Sequence, residues 1–73
     1  MDKHQKRFLF YIEWYYRNYG DEWNIQDFPS EIKSKVDKIR PILVELESKG
    51  IIKMIGKDKF KIFKLPSDFY QIP

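Results

Sequence analysis

Hydrophobic residues recur at helical spacing in the first part of the chain. Between residues 3 and 19 there is neither Gly nor Pro, and the stripe comprises Phe8, Ile12, Tyr15, Tyr16 and Tyr19. Gly20 follows and suits the left-handed conformation that closes many helices, because it has no side chain to clash there. The pattern therefore predicts a first helix over about residues 3–19.

A second, shorter helix is predicted over about residues 29–35. Pro29 suits the first helical position, because the N–H that it lacks has no partner there in any residue. This helix would bury Ile32, and Val36 would lie in the turn that follows. Before it, residues 23–25 are compatible with a very short edge strand.

The third predicted helix covers about residues 38–49. Asp37 would cap it by accepting a hydrogen bond from a free backbone N–H. Pro41 then lies in the first turn, where a missing N–H costs little. Alternatively, the helix begins at Pro41 and leaves Arg40 extended. The first interpretation is favoured because Ile39 belongs to the apolar stripe, which comprises Ile39, Ile42, Leu43 and Leu46.

The last part of the chain predicts a β-hairpin and a tail. Strand-like runs at residues 51–55 and 60–65 surround a turn at residues 56–59 that begins with Gly56. The hairpin as a whole covers about residues 51–65. The tail covers residues 66–73.

This order of helix, helix, turn, helix and hairpin resembles the winged-helix family of DNA-binding domains. The resemblance rests on residues 30–64, and above all on residues 42–53, which look like the family's junction of third helix and wing. There Leu43 and Leu46 would pack in the core, and Gly50 would turn the chain into the first wing strand. The resemblance implies one α+β domain over residues 1–73, with a three-helix helix-turn-helix core followed by a β-hairpin wing. It also implies an origin on a bacterial mobile genetic element, where small proteins of this kind are common.

The charges are unevenly placed, although the net charge is only +3. Residues 33–40 and 53–64 are basic, whereas residues 20–32 carry four acidic residues and no basic one. In the winged-helix arrangement both basic segments face the nucleic acid, and the acidic segment is left elsewhere. The expected nucleic-acid-binding residues are Ser34, Lys35, Lys38, Arg40, Lys57, Lys59 and Lys61. The alternative is that these lysines are ordinary solvated surface residues.

Phosphate contacts are expected to dominate this binding. On the outward face of the third helix, Arg40 and Val44 suit contacts with base edges, but Glu47 would repel nearby phosphates. The sequence therefore predicts phosphate-dominated binding to duplex or single-stranded DNA, in transcription control or DNA replication.

The first helix carries more aromatic residues than one buried side needs. Phe10 and Trp14 lie four residues apart and point away from the predicted stripe, and Arg17 is among the cations that border them. These three residues predict a contact with a protein partner or a homodimer. The second functional hypothesis is a non-catalytic accessory subunit that docks on a larger replication enzyme, such as a polymerase, primase or helicase. Two alternatives are that the tail covers Phe10 and Trp14, and that Trp14 stacks on a base.

Several classes of chemistry lack the residues they need. The chain has no Cys, and a lone His4, which excludes disulfides and leaves no set of metal ligands. We see no Ser–His pair for nucleophilic catalysis and no Gly-rich phosphate loop, so we expect a protein without enzymatic activity and without a cofactor. No apolar run approaches the ~20 residues of a membrane span, and no signal-peptide pattern opens the chain. We therefore expect a cytoplasmic protein without a membrane contact.

Overall fold

The computed structural model describes residues 1–72 and shows an α+β domain of three helices and a three-stranded antiparallel sheet. Pro73, the last residue of the predicted tail, lies outside the described residues. The helices are α1 (Lys3–Asn18), α2 (Ser30–Lys33) and α3 (Val36–Ser48), and the strands are β1 (Glu22–Asn24), β2 (Ile52–Met54) and β3 (Lys59–Ile62). Short 3-10 turns occupy Ile25–Asp27 and Pro66–Asp68. The predicted α+β class and the hairpin after the third helix are confirmed.

Helix α1 begins with a capping box, in which two residues satisfy each other's free N–H groups. The Asp2 carboxylate accepts from the Gln5 N–H at 2.9 Å, and the Gln5 side chain accepts from the Asp2 N–H at 3.3 Å. The predicted end of the stripe is wrong, since Tyr19 is 68% exposed. Its φ of −129° takes it off the helical path. The prediction of a left-handed helical Gly20 is wrong. Its φ of +154° is positive but lies far from the φ of about +57° that defines this conformation.

Helices α2 and α3 differ at their starts from the sequence prediction. Pro29 is the N-cap of α2 rather than its first residue, with an extended ψ of 160°. Val36 is the first residue of α3 rather than a turn residue, and Lys35 rather than Asp37 is the N-cap. The Lys35 carbonyl accepts from two successive helical N–H groups, at 2.9 and 3.1 Å. Val36 packs against the core, and burial of its apolar side chain explains the early start. Pro41 is consequently the sixth helical residue.

Gly50 ends α3 in the left-handed conformation, with a φ of +73°. The Ile51 N–H donates to the Leu46 carbonyl and the Gly50 N–H to the Glu47 carbonyl, each at 3.0 Å. This pair of bonds is a Schellman motif, and the buried Ile51 and Leu46 provide its usual apolar contact. The predicted turn into the first hairpin strand is therefore confirmed.

Strand β3 is the middle strand of the sheet, in the order β1-β3-β2. The short edge strand that the sequence allowed exists as β1, one residue earlier than expected. Strand β3 ends at Ile62, three residues before the predicted end. Beyond it the Phe63 and Lys64 N–H groups both donate to the Ile51 carbonyl, at 2.8 and 3.3 Å, which turns the chain away from the sheet.

The helices cover one face of the sheet and enclose an apolar core. An aromatic cluster occupies its centre, where the ring centroid of Phe8 lies 5.1 Å from that of Phe28 and 6.0 Å from that of Phe60. All four residues of the predicted α3 stripe are buried. The buried hydrophobic residues are Phe8, Leu9, Ile12, Ile25, Phe28, Ile32, Ile39, Ile42, Leu43, Leu46, Ile51, Ile52, Phe60 and Ile62.

Candidate nucleic-acid interface

Arg40 joins α3 to the turn of the β2–β3 hairpin. One guanidinium nitrogen lies 2.8 Å from the Asp58 carboxylate, and the other donates to the Lys57 carbonyl at 3.4 Å. The sequence predicted that Arg40 points outward to base edges. In the structure both terminal nitrogens contact the hairpin turn, while the side chain remains 42% exposed. Arg40 therefore positions the hairpin.

We expect the Arg40–Asp58 ion pair to show a measurable coupling energy. The two side chains are 42% and 24% exposed, so solvent screening limits the coupling to about 0.5–1 kcal/mol. Urea unfolding of Arg40→Met, Asp58→Asn and the double variant measures it. The matched control is the Lys59–Glu22 pair, whose side chains are 51% and 49% exposed and whose coupling should be smaller. A coupling for Arg40–Asp58 no larger than the control would contradict this positioning role.

The exposed face of α3 carries more carboxylates than free cations. Val44 is 70% exposed at its centre, as predicted. The Glu47 carboxylate accepts from the Met54 N–H at 2.9 Å and so satisfies a backbone donor at the edge of β2. Asp37 and Glu45 are also exposed. This charge pattern is unfavourable for close contact between the helix and a row of phosphates.

Lys59 and Lys61 lie beside acidic residues at the start of the neighbouring strand and just before it. The Lys59 ammonium lies 3.0 Å from the Glu22 carboxylate, and that of Lys61 lies 3.8 Å from the Asp21 carboxylate. The expectation that the acidic segment lies elsewhere is therefore wrong. The cause is sheet pairing, since β1 lies against β3 and Glu22 stands opposite Lys61. Two of the predicted phosphate ligands are already partly neutralised.

The other predicted residues divide between two sides of α3. Lys35, at the N-cap, and Ser34 before it are exposed, and Lys57 is exposed in the hairpin turn. In the part of the chain that the structure describes, neither Lys35 nor Lys57 forms an ion pair. Lys38 lies on the side of α1, where its carbonyl accepts from the Gln5 side chain at 2.9 Å. Lys57 therefore lies where the hairpin turn contacts α3, whereas Lys38 lies on the side of α3 that faces α1.

Two further exposed lysines are not among the predicted site residues. Lys33 lies at the end of α2, and Lys53 stands opposite Lys61 on the outer face of the sheet. The alternation of Ile52, Lys53 and Met54 is the signal that predicts an outward Lys53. Both lysines add positive charge near predicted site residues, since Lys33 is close to Lys35 in the sequence and Lys53 is paired with Lys61 across the sheet.

The α1 residues predicted to contact a partner are partly exposed. Trp14 is 45% exposed, Phe10 is half-buried, and Arg17 lies 3.3 Å from the Glu13 carboxylate one turn earlier. Ile72 of the tail lines a cavity of about 160 Å³ together with Phe10 and Trp14. The alternative in which the tail leaves nothing exposed is therefore wrong.

The tail is held against α1 and α3 by hydrogen bonds. The Ser67 N–H donates to the Glu13 carboxylate at 2.8 Å, and the Tyr70 hydroxyl donates to the Glu45 carboxylate. Burial and the Glu45 carboxylate raise the pKa of Tyr70. Desolvation opposes ionisation of Glu13, but the hydrogen bonds from Ser67 and Arg17 outweigh it and lower the pKa of that carboxyl. The tail thus fixes one border of the exposed α1 face.

Within residues 1–72, no group of three or more potential ligands is placed to hold a metal ion. None of the helices in this described part is both long enough and apolar enough to span a bilayer. Comparison with known proteins finds no matching family model, curated protein or solved structure.

Proposed function

We propose that this chain is a small, non-enzymatic winged-helix protein that binds nucleic acid through phosphate contacts. The observation that carries the proposal is the pair of hydrogen bonds from Arg40 to Asp58 and Lys57. They hold the hairpin turn against the N-terminal half of α3. Lys35 lies at the same end of that helix, about 7.5 Å along the axis from Arg40. In the proposed interface, lysines from the helix start and from the hairpin turn contact the phosphates on either side of this bridge.

The order of elements supports the winged-helix arrangement that the sequence resembles. Two residues, Ser34 and Lys35, connect α2 to α3, and the hairpin follows α3 directly through the Schellman turn. Strand β1 extends the hairpin to a three-stranded sheet. In this arrangement the hairpin is the wing, and α3 corresponds to the helix that faces DNA.

The charge distribution supports phosphate contact rather than base reading. Arg40 is engaged by the hairpin, and the exposed face of α3 carries Glu45 and Glu47. Among the exposed lysines without an ion pair in the described residues, Lys33, Lys35, Lys53 and Lys57 come from the segments before and after this helix. Lys38 lies on α3 itself and is also exposed without an ion pair, but on the side of α1. Contacts of three to four phosphates give a log–log salt slope of roughly −3.

The proposal is tested by reversing two of these charges. We expect Lys35→Glu with Lys57→Glu to weaken binding to a random-sequence duplex on the order of 100-fold at 0.05 M salt, and to reduce the salt slope by roughly 2. Fluorescence anisotropy across a salt series measures both quantities. A labelled single strand, measured in parallel, decides between duplex and single-strand preference.

The matched control reverses Lys3 and Lys6 on the exposed side of α1, which changes the net charge equally. Binding by this control should stay within a few-fold of the parent chain, because these lysines lie on the exposed side of α1, outside the proposed interface. Equal losses in both variants would mean that only the net charge matters and would contradict a defined surface. Undiminished binding by the Lys35 and Lys57 variant would contradict it as well.

The cellular role is part of the same proposal. The resemblance supports transcription control or DNA replication of a mobile genetic element, and a cytoplasmic location follows from access to that DNA. Both roles need the phosphate contacts described above. They differ in whether the chain acts alone or as an accessory subunit of a larger replication enzyme.

A further inference from the structure

We propose that the exposed side of α1 binds an acidic protein segment that carries one large apolar side chain. The basic–aromatic face that would bind it consists of Lys3, Lys6, Arg7, Phe10, Trp14 and Arg17. This interaction goes beyond nucleic-acid binding and does not depend on it. It also gives a physical basis for an accessory role beside a larger protein.

A surface cleft of about 460 Å³ at the N-terminal half of this face is suited to carboxylates. Lys3, His4, Lys6, Arg7, Phe10 and Glu31 line it. The Arg7 guanidinium lies 4.9 Å from the ring centroid of Phe10 and 5.0 Å from that of Tyr11, which holds it over the aromatic floor. Lys3 and Lys6 form no ion pair within the described residues. An occupant with two or more acidic groups would neutralise them.

A second, smaller cavity adjoins the first and is suited to an apolar side chain. It measures about 160 Å³ and is lined by Phe10, Glu13, Trp14, Arg17 and Ile72. Phe10 belongs to both cavities, so one short segment can reach them together. The half-exposed Trp14 beside it is the kind of side chain that dominates binding energy at protein interfaces.

The carboxylates already present on this side distinguish a peptide from a nucleic acid. Glu31 accepts the Tyr11 hydroxyl hydrogen bond and lies 3.7 Å from Arg7, and Glu13 is bonded by Ser67 and Arg17. A nucleic-acid strand carries a phosphate at every nucleotide and would bring charges against both carboxylates. A peptide can place its acidic groups beside Lys3 and Lys6 and an apolar side chain beside Trp14.

Charge also disfavours a second copy of this chain as the occupant. A symmetric dimer through α1 would place the same face on both sides of the contact. Each copy would then set its lysines and arginines against those of the other, which costs free energy in a desolvated interface. The homodimer predicted from the aromatic residues is therefore a poorer candidate than an acidic partner.

A random 12-residue peptide library, displayed and selected on the immobilised full chain, tests the proposal. We expect the selected peptides to be enriched in Asp and Glu around one large apolar residue. Trp14→Ala should weaken a selected peptide about 30-fold, the loss typical of a truncated central interface residue. Lys3→Glu with Lys6→Glu should weaken it at least about tenfold, chiefly through slower association. Trp14→Phe, which retains an aromatic ring, should lose less than Trp14→Ala.

The variant with Lys35→Glu and Lys57→Glu is the control for this experiment, and it should bind the selected peptide like the parent chain. Failure of DNA binding and failure of peptide binding are thus separable. Selection of basic or uncharged peptides, or no enrichment at all, would overturn the proposal. It would equally be overturned if a 15-nucleotide oligothymidine shifted the Trp14 indole N–H signal in NMR spectra, since this would make the face a nucleic-acid contact.

Discussion

Phe60→Ala is expected to leave the chain largely unfolded at 25 °C. Phe60 is fully buried in the middle strand, and its ring lies 6.0 Å from that of Phe8 and 6.1 Å from that of Phe28. Removing such a ring costs about 3–5 kcal/mol, the lost burial and the cavity combined. A domain of this size has about 3–5 kcal/mol of stability in total. Circular dichroism and urea unfolding measure the loss.

Two further variants make this result interpretable. Phe60→Leu retains most of the volume and should cost no more than about 1.5 kcal/mol, so it can be measured on a folded protein. Phe63→Ala removes an aromatic ring of the same size that is 47% exposed, and should change stability by less than about 1 kcal/mol. If Phe60→Ala stayed folded with a loss near that of Phe63→Ala, the aromatic cluster would not be the centre of the core.

Much of the fold could be predicted because its determinants are local. The apolar stripe of α3 repeats at helical spacing, and each of its four members is buried. Gly50 adopts the left-handed conformation that a helix end followed by a strand requires. In both cases the physical cause lies within a few residues of its effect. Sequence reading is sufficient for such features.

The starts of α2 and α3 could not be predicted from local rules. Asp37 is a better cap than Lys35 by side-chain chemistry, yet α3 starts before it. Burial of Val36 against the core depends on residues far away in the sequence, and it outweighs the cap. Local preference fails where tertiary packing contributes more free energy.

The charge balance of the predicted site could not be predicted, because it depends on contacts between segments that are distant in the sequence. Asp21 and Glu22 lie about 40 residues before Lys59 and Lys61, and only the pairing of β1 with β3 shows that they meet. The Arg40–Asp58 pair likewise joins residues 18 positions apart. The sequence located the basic segments, but it did not indicate which cations are neutralised.

Sheet pairing also shifts where nucleic acid is expected to bind. Because Glu22 and Asp21 partly neutralise Lys59 and Lys61, the proposed interface relies instead on unpaired lysines such as Lys35 and Lys57. The basic–aromatic face of α1 lies on a different helix and keeps its own cations. The two proposed surfaces share no residue.

Pro41→Ala is expected to stabilise the chain by about 1–2 kcal/mol. Pro41 is the sixth residue of α3, so the Asp37 carbonyl lacks the N–H partner that an interior residue supplies. A helix-interior Pro costs about 3 kcal/mol relative to Ala. The stiffer unfolded chain with Pro offsets about 1 kcal/mol of this cost. The midpoint of urea unfolding should rise, whereas the affinity for duplex DNA should stay unchanged.

The control variant changes another residue of α3, and a packing contact of Pro41 itself could oppose the expected gain. Val44→Ala changes another exposed residue of α3 and should alter stability by no more than about 0.5 kcal/mol. Pro41 also lines a cavity of about 210 Å³ with Met1, Gln5, Ile42 and Glu45, so Ala would remove some packing there. If Pro41→Ala were destabilising, that packing would outweigh the missing hydrogen bond, and the ring would be part of the contact between α1 and α3. A gain clearly above that of Val44→Ala would show instead that the helix is continuous through residue 41 and carries the proline at a net cost.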